Sequence, residues 1–245
     1  MGQRSKINLT SKTVAIIPAA GTGERMRSGR PKQFLDLCGR PLIAFTLDKF
    51  QRCNAIDSII LAVSPDEVDY CEKEIVKTYH ISKVKEIIPG GSRRQDSVRL
   101  GIEASGGNYG LVLIHDGVRP LIDIALIERV VAAAMQSRAV ITALPAKDTI
   151  KKIDKNGMVI ETCDRGQVWL AQTPQVFRYE DILLAHQRAV QECWDDVTDD
   201  ARLVEKVGIQ VKVIEGSEDN IKVTTPHDLE LARYLLSSEK LEEFT

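Results

Sequence analysis

No apolar run in the 245-residue sequence approaches the roughly 20 residues that a membrane-spanning helix needs, so no partnership with a membrane is expected. Met1 to Lys12 is polar and basic, with only a short strand-like run behind it, and reads as a frayed tail rather than a signal peptide. Gly2 lacks the Ser or Thr of a myristoylation motif, since Lys6 stands at that position. Charge of one sign is also missing: 33 Lys and Arg against 35 Asp and Glu leave a net charge of -2, which supplies no field for nucleic acid. Cysteine is sparse. Cys38, Cys53, Cys71, Cys163 and Cys193 are odd in number and scattered, with no C-x-x-C pair and no histidine at ligand-like spacing. That excludes a disulfide framework and a structural zinc site, and predicts reduced, mostly buried thiols in a cytoplasmic protein. Several catalytic signatures are absent as well: G-x-S-x-G, H-E-x-x-H and a Cys-His nucleophile pair.

What is there is an alternation of short apolar runs with amphipathic segments, the pattern of βαβ units around a mainly parallel sheet. Strands are predicted over Val14 to Ile17, Ser58 to Val63, Val84 to Ile88, Leu111 to Ile114 and Val140 to Leu144. Helices are predicted over about Asp66 to Tyr79, Arg94 to Ala104 and Ile124 to Arg138. A last one runs from Thr225-Pro226, a capping hydroxyl followed by proline, to about Ser237. The segment Pro145 to Gln172 breaks the alternation. Asn156-Gly157 between Lys152-Ile153 and Met158-Val159-Ile160 marks a charged hairpin, either a solvated excursion or an arm that embraces a second subunit. With no repeat, linker or low-complexity tract, the chain reads as one domain over residues 1–245 with an arm at about 145–170.

Three loops at strand ends carry the chemistry. Gly21-Thr22-Gly23-Glu24-Arg25-Met26 follows the first strand, with Pro31-Lys32-Gln33 close behind. Glycines there let backbone N–H groups approach phosphate oxygens, and Arg25 and Lys32 suit a triphosphate better than they suit a bare turn. The loop is not a Walker A motif, and Met26 replaces the third glycine of a dinucleotide fingerprint. Gly90-Gly91-Ser92-Arg93-Arg94-Gln95-Asp96-Ser97 repeats the geometry. His115-Asp116-Gly117-Val118-Arg119-Pro120 is the third loop. Asp116 is suited to Mg²⁺ or a substrate hydroxyl and Arg119 to a phosphate, unless the two simply pair; His115 reads as a packed histidine. Thr198 is suited to cap a helix through Ala201 to Val207, and Lys222, between Ile221 and Val223 in a short strand, should point away from the apolar face. Cations, one or two carboxylates and glycine loops fit an attack that needs no strong base. A phosphate monoester is already anionic near pH 7, and its problem is repulsion from a second polyanion.

The ordered set resembles the 2-C-methyl-D-erythritol 4-phosphate cytidylyltransferase family of the non-mevalonate isoprenoid pathway. Its pieces are Pro18 to Met26, Pro31 to Gln33, Gly90-Gly91 with Arg94 and Asp96 to Val98, His115-Asp116 with Arg119-Pro120, and Asp148-Thr149. Asp164-Arg165, Gln172 to Gln175, Thr198-Asp199 and Asp219 to Thr224 complete it, so the resemblance spans about Val14 to Leu236. It implies a three-layer, Rossmann-like α/β nucleotidyltransferase fold with a protruding β-arm. It also implies a homodimer joined by that arm, and Mg²⁺-dependent transfer of CMP from CTP with release of pyrophosphate. Arg25, Lys32, Arg165 and Lys222 would be catalytic. Pro18, Ala19, Ala20, Gly21, Thr22, Gly23, Gly90, Gly91, Arg94 and Ser97 would hold the nucleotide with Arg25 and Lys32. Asp116, Arg119, Thr149, Thr173 and Thr198 would surround the sugar-alcohol phosphate with Lys222 and with Arg165, the last reaching from the partner's arm. Mg²⁺ would sit on Asp116 or on the triphosphate alone. The family usually carries two alanines where this chain has Gly117 and Val118. The alternative is the ribitol 5-phosphate cytidylyltransferase family, which Val118 favours and the Pro18-Ala19-Ala20-Gly21 opening does not.

Overall fold

The computed structural model describes residues 12–21, 23, 26, 30–195 and 197–242. In chain order the elements are β1 (Thr13–Ala19), β2 (Asp36–Leu37), β3 (Arg40–Pro41), α1 (Leu42–Arg52), β4 (Ser58–Val63), α2 (Val68–Tyr70), β5 (Val84–Pro89), α3 (Arg94–Ala104) and β6 (Leu111–Ile114). The second half holds α4 (Ile124–Gln136), β7 (Ala139–Pro145), β8 (Lys151–Ile153), β9 (Val159–Thr162), β10 (Trp169–Arg178), α5 (Tyr179–Gln191), α6 (Asp200–Lys206), β11 (Lys212–Glu215) and α7 (Pro226–Glu242).

Seven strands form one sheet in the order β11-β7-β10-β6-β1-β4-β5, parallel throughout except that β10 runs antiparallel to both of its neighbours. The period-2 alternation of the central strands sorts their side chains into two cores. Ala15, Ile17, Ile59, Leu61, Leu111 and Leu113 face Ile43, Leu47 and Phe50 of α1 and Ile127, Val130 and Ala134 of α4. Val14, Ile16, Ile60, Ala62, Val112 and Ile114 face Val98 and Ile102 of α3, Ile182 and Ala185 of α5 and Leu203 and Val204 of α6. Helices therefore cover both faces, giving three layers. A third cluster joins Met26, Leu37, Leu42, Val118, Val223 and, from α7, Leu229, Ala232 and Leu236.

The chain passes from β1 to β4 and β5 on one side, then returns to β6 on the other, so a switch point lies at the carboxyl end of β1. That is where an open α/β sheet leaves a crevice for a ligand.

Several sequence expectations need correction. The segment expected as a helix from Asp66 to Tyr79 is a 3₁₀ turn over Pro65–Glu67, then α2, then a π-helical stretch over Cys71–Lys77. The cap of α6 is Asp199, whose side chain accepts from the Arg202 N–H, and not Thr198. Lys222 lies in no strand, although the alternation expected there holds: Val223 is fully buried and Lys222 reaches the site. The cysteines are free, but only Cys53 and Cys71 are buried; Cys38 and Cys193 are exposed. Part of the segment assigned to the arm, Trp169 to Gln172, belongs to β10 of the main sheet.

Candidate active site

Residues from three strand ends and one 3₁₀ turn line one cleft of about 220 Å³: Pro18 to Gly21 at the end of β1, Lys32 and Gln33 in the turn, Gly91 to Arg94 with Ser97 after β5, and Asp116 with Val118 after β6. Lys222 closes it from the segment before α7.

The first loop is fixed from beneath. Gln33, almost wholly buried, donates from Nε2 to the Ala19 carbonyl at 2.6 Å, and Ser64 Oγ donates to the Ala20 carbonyl at 3.1 Å. Gly90 must be glycine for a steric reason. A Cβ there would lie 2.5 Å from Ala20 Cβ and 2.8 Å from Ser97 Oγ. The Gly91 N–H donates to Ser97 Oγ at 3.1 Å, closing the second loop on the start of α3. Arg93 at that start is held by Asp96 and by Asp195.

The floor is a buried ion cluster. Asp116 Oδ1 accepts from Arg94 Nε at 2.8 Å, Asp116 Oδ2 meets Lys222 Nζ at 2.8 Å, and Arg119 Nε stands 3.7 Å from the same oxygen. Arg94 Nη1 also donates to Asp200 Oδ2 at 2.6 Å. Burial opposes the charge on Asp116, but Arg94, Lys222 and Arg119 outweigh it and hold the carboxyl well below the usual carboxylate range. Arg119 is turned inward, donating from Nη1 to the Asn220 carbonyl at 2.6 Å. It braces the Asp219 to Thr224 segment that carries Lys222, and the Val223 N–H donates to the Val118 carbonyl at 2.9 Å.

His115 is fully buried, between Thr173 Oγ1 at Nδ1 and the Arg119 carbonyl at Nε2. Burial, with the Arg119 charge added, pushes its pKa down to about 3. It is a packed neutral imidazole, as the sequence suggested, and not a base. Thr173 Oγ1 accepts from the Asp116 N–H at 3.1 Å, so it sets the loop from behind.

The cluster makes a poor cage for a divalent cation. Both oxygens of Asp116 already face cations, and the described residues hold no group of three His, Cys, Asp or Glu that could ligate a metal. What the arrangement offers is fixed positive charge beside backbone N–H groups, the equipment for bringing two phosphates together.

A family model for 2-C-methyl-D-erythritol 4-phosphate cytidylyltransferase matches residues 13–238, which takes in every wall of this cleft. The chain belongs to that family. A cytidylyltransferase of this name from Syntrophus aciditrophicus is 44% identical over 229 residues, 94% of this chain and 97% of its own. Another from Syntrophotalea carbinolica is 46% identical over 224 residues, 91% of this chain and 95% of its own. Among solved structures, the 4-diphosphocytidyl-2C-methyl-D-erythritol synthase of Anaerococcus prevotii superposes with a TM-score of 0.82 at 35% identity, covering 93% of this chain and 96% of its own. The Francisella tularensis cytidylyltransferase gives 0.77 at 32%, with 91% and 99% covered.

Of the residues that the family resemblance singled out, the cleft gathers Pro18, Ala19, Ala20, Gly21, Lys32, Gly91, Arg94, Ser97, Asp116 and Lys222. Arg119 and Thr173 lie directly behind them. Thr22 and Arg25 fall outside the described residues. Thr149, Arg165 and Thr198 are exposed and do not line the cleft of their own chain; Arg165 Nη1 donates to the Lys147 carbonyl at 3.1 Å. Gln33, Ser92, Arg93 and Val118 line the cleft without having been assigned a role. All four sit inside motifs already noticed, and that position was the available signal.

Proposed function

We propose that this family member catalyses attack of the phosphate of 2-C-methyl-D-erythritol 4-phosphate on the α-phosphorus of CTP, forming the cytidylyl diphosphate linkage and releasing pyrophosphate. The observation that carries this reading is the convergence of the Ala19 to Gly21 backbone, Lys32, Arg94 and Lys222 on one cleft, with Asp116 held ionised among cations and His115 held neutral behind it. The glycine loop receives the triphosphate, and Lys32 with Arg25 draws charge off the α-phosphate as the fifth oxygen approaches. Lys222, steadied by Asp116 at 2.8 Å, holds the attacking phosphate. That phosphate arrives ionised, so the chain's task is positioning and screening rather than proton removal. Because the Asp116 oxygens are engaged by cations, a divalent ion would travel on the triphosphate and not in a protein cage.

The reading includes a cytoplasmic homodimer. The β8–β9 hairpin exposes Ile153, Met158, Val159 and Ile160, an apolar face that a second subunit would cover. Thr149 and Arg165, remote from the cleft of their own chain, would then complete the neighbour's.

Pyrophosphate release with CTP and Mg²⁺ tests the reaction, with 2-C-methyl-D-erythritol 4-phosphate compared against D-ribitol 5-phosphate. The relatives named above carry the methylerythritol name, and preference for that substrate by orders of magnitude in kcat/KM is expected. Silence with both substrates from folded protein would overturn the assignment.

A further inference from the structure

Asp200 lies in the first turn of α6, its side chain 1% exposed, and it is not part of the cleft wall. Its Oδ2 takes Arg94 Nη1 at 2.6 Å, while Oδ1 stands 3.3 Å from His186 Nε2. Arg94 in turn gives Nε to Asp116 Oδ1, and its Nη2 is buried with no hydrogen-bond partner.

In a guanidinium, Nε and Nη2 share one edge, and that edge closes side-on over both oxygens of a carboxylate when nothing prevents it. Here it does not close. Asp116 keeps Oδ1 for Arg94 and Oδ2 for Lys222. Asp200 takes the far corner of the guanidinium, Nη1. A buried donor left without a partner is costly.

We propose that Asp200 is a positioning residue which holds Arg94 to a single oxygen of Asp116 and so reserves the other oxygen for Lys222. Without Asp200, Arg94 forks onto Asp116 and Lys222 is displaced. The kinetic consequence rests on the proposed role of Lys222 at the attacking phosphate; the geometric consequence does not.

The test is Asp200→Asn in the full chain, read by crystal structure and by kinetics with CTP and 2-C-methyl-D-erythritol 4-phosphate. The structure should show Arg94 Nε and Nη2 on both Asp116 oxygens and Lys222 Nζ gone from Oδ2. The KM for the polyol phosphate should rise about tenfold, the worth of one charge-assisted hydrogen bond. In a Lys222→Ala background Asp200→Asn should change this KM less than about twofold. Lys222 still seated on Asp116 in the variant, or an equal KM rise in both backgrounds, would overturn the proposal. Lys222 displaced without a change in KM would uphold the positioning and refute the phosphate role of Lys222. Should Asp200→Asn fail to fold, Asp200→Ser, with room for water, takes its place in every measurement.

Discussion

Replacing Gly90 with alanine separates the steric argument from the general fragility of glycine positions. The backbone at Gly90 is not left-handed, so alanine meets no torsional objection; the objection is space alone. The new Cβ would stand 2.5 Å from Ala20 Cβ, more than an ångström inside ordinary carbon–carbon contact of about 3.5–4.0 Å. Ala20 Cβ is bonded to the main chain and cannot swing aside. Ser97 Oγ, 2.8 Å away, is held by the Gly91 N–H and the Arg93 carbonyl. The backbone of the loop after β1 must therefore shift by about 1 Å. Overpacking of this kind costs about 1–3 kcal/mol, or a Tm lower by about 2–12 °C for a chain of this size. A misplacement of about 1 Å at a positioning loop costs about 100-fold in rate. The assay is pyrophosphate release at 25 °C beside a thermal melt, with Gly106→Ala as the comparison. Gly106 has φ +74 and nothing within 4 Å of a built Cβ, so alanine there strains the backbone by about 1–2 kcal/mol and leaves the cleft alone. The two variants should lose similar stability, while only Gly90→Ala loses activity. Wild-type kcat/KM in folded Gly90→Ala would refute the steric reading of the loop.

Two further outcomes follow from the site. Asp116→Asn leaves three cations without their shared carboxylate and should lose about 3–5 kcal/mol at pH 7, measured by urea unfolding. The folded carboxyl titrates below its unfolded value near 3.9, so its contribution is fully present above that pH and fades as pH falls below it. The gap between wild type and variant should narrow below about pH 4, and a gap that stays constant down to pH 2.5 would contradict the ion cluster as its source. For the arm, mixing inactive Arg165→Ala and Lys32→Ala subunits should restore part of the activity, because one site of each mixed dimer is intact. No recovery, with mixed dimers shown to form, would rule out a shared site.

Where local chemistry decides, the sequence was legible. The boundaries expected for α3 and β6, Arg94 to Ala104 and Leu111 to Ile114, are those observed. The hairpin turns at Gly157 with φ +82, with Asp154 Oδ1 accepting from the Asn156 and Met158 N–H groups. Thr198 and Asp199 are both good caps, and the choice rested on which residue opened the first turn, something neighbouring composition does not specify. The Arg94–Asp200 bond joins residues 106 positions apart, and nothing in either local sequence announces it. The inward turn of Arg119 has the same origin, since its partner is a backbone carbonyl 101 residues away. The cleft was readable as a set of strand-end loops, but the sharing of one carboxylate among three cations was not.

The cleft takes its walls from Pro18 at one extreme and Lys222 at the other, so it cannot be finished before the whole stretch between them has been made. A nascent chain that has emerged only through β10 already owns the β6-β1-β4-β5 half of the sheet and the glycine loops. It still lacks Lys222 and the Val223–Val118 strut. Asp116, Arg94 and Arg119 then have no lysine among them, and the loop after β6 has lost a tether. The cleft is thus closed only when the segment before α7 docks, after the sheet and its glycine loops are in place.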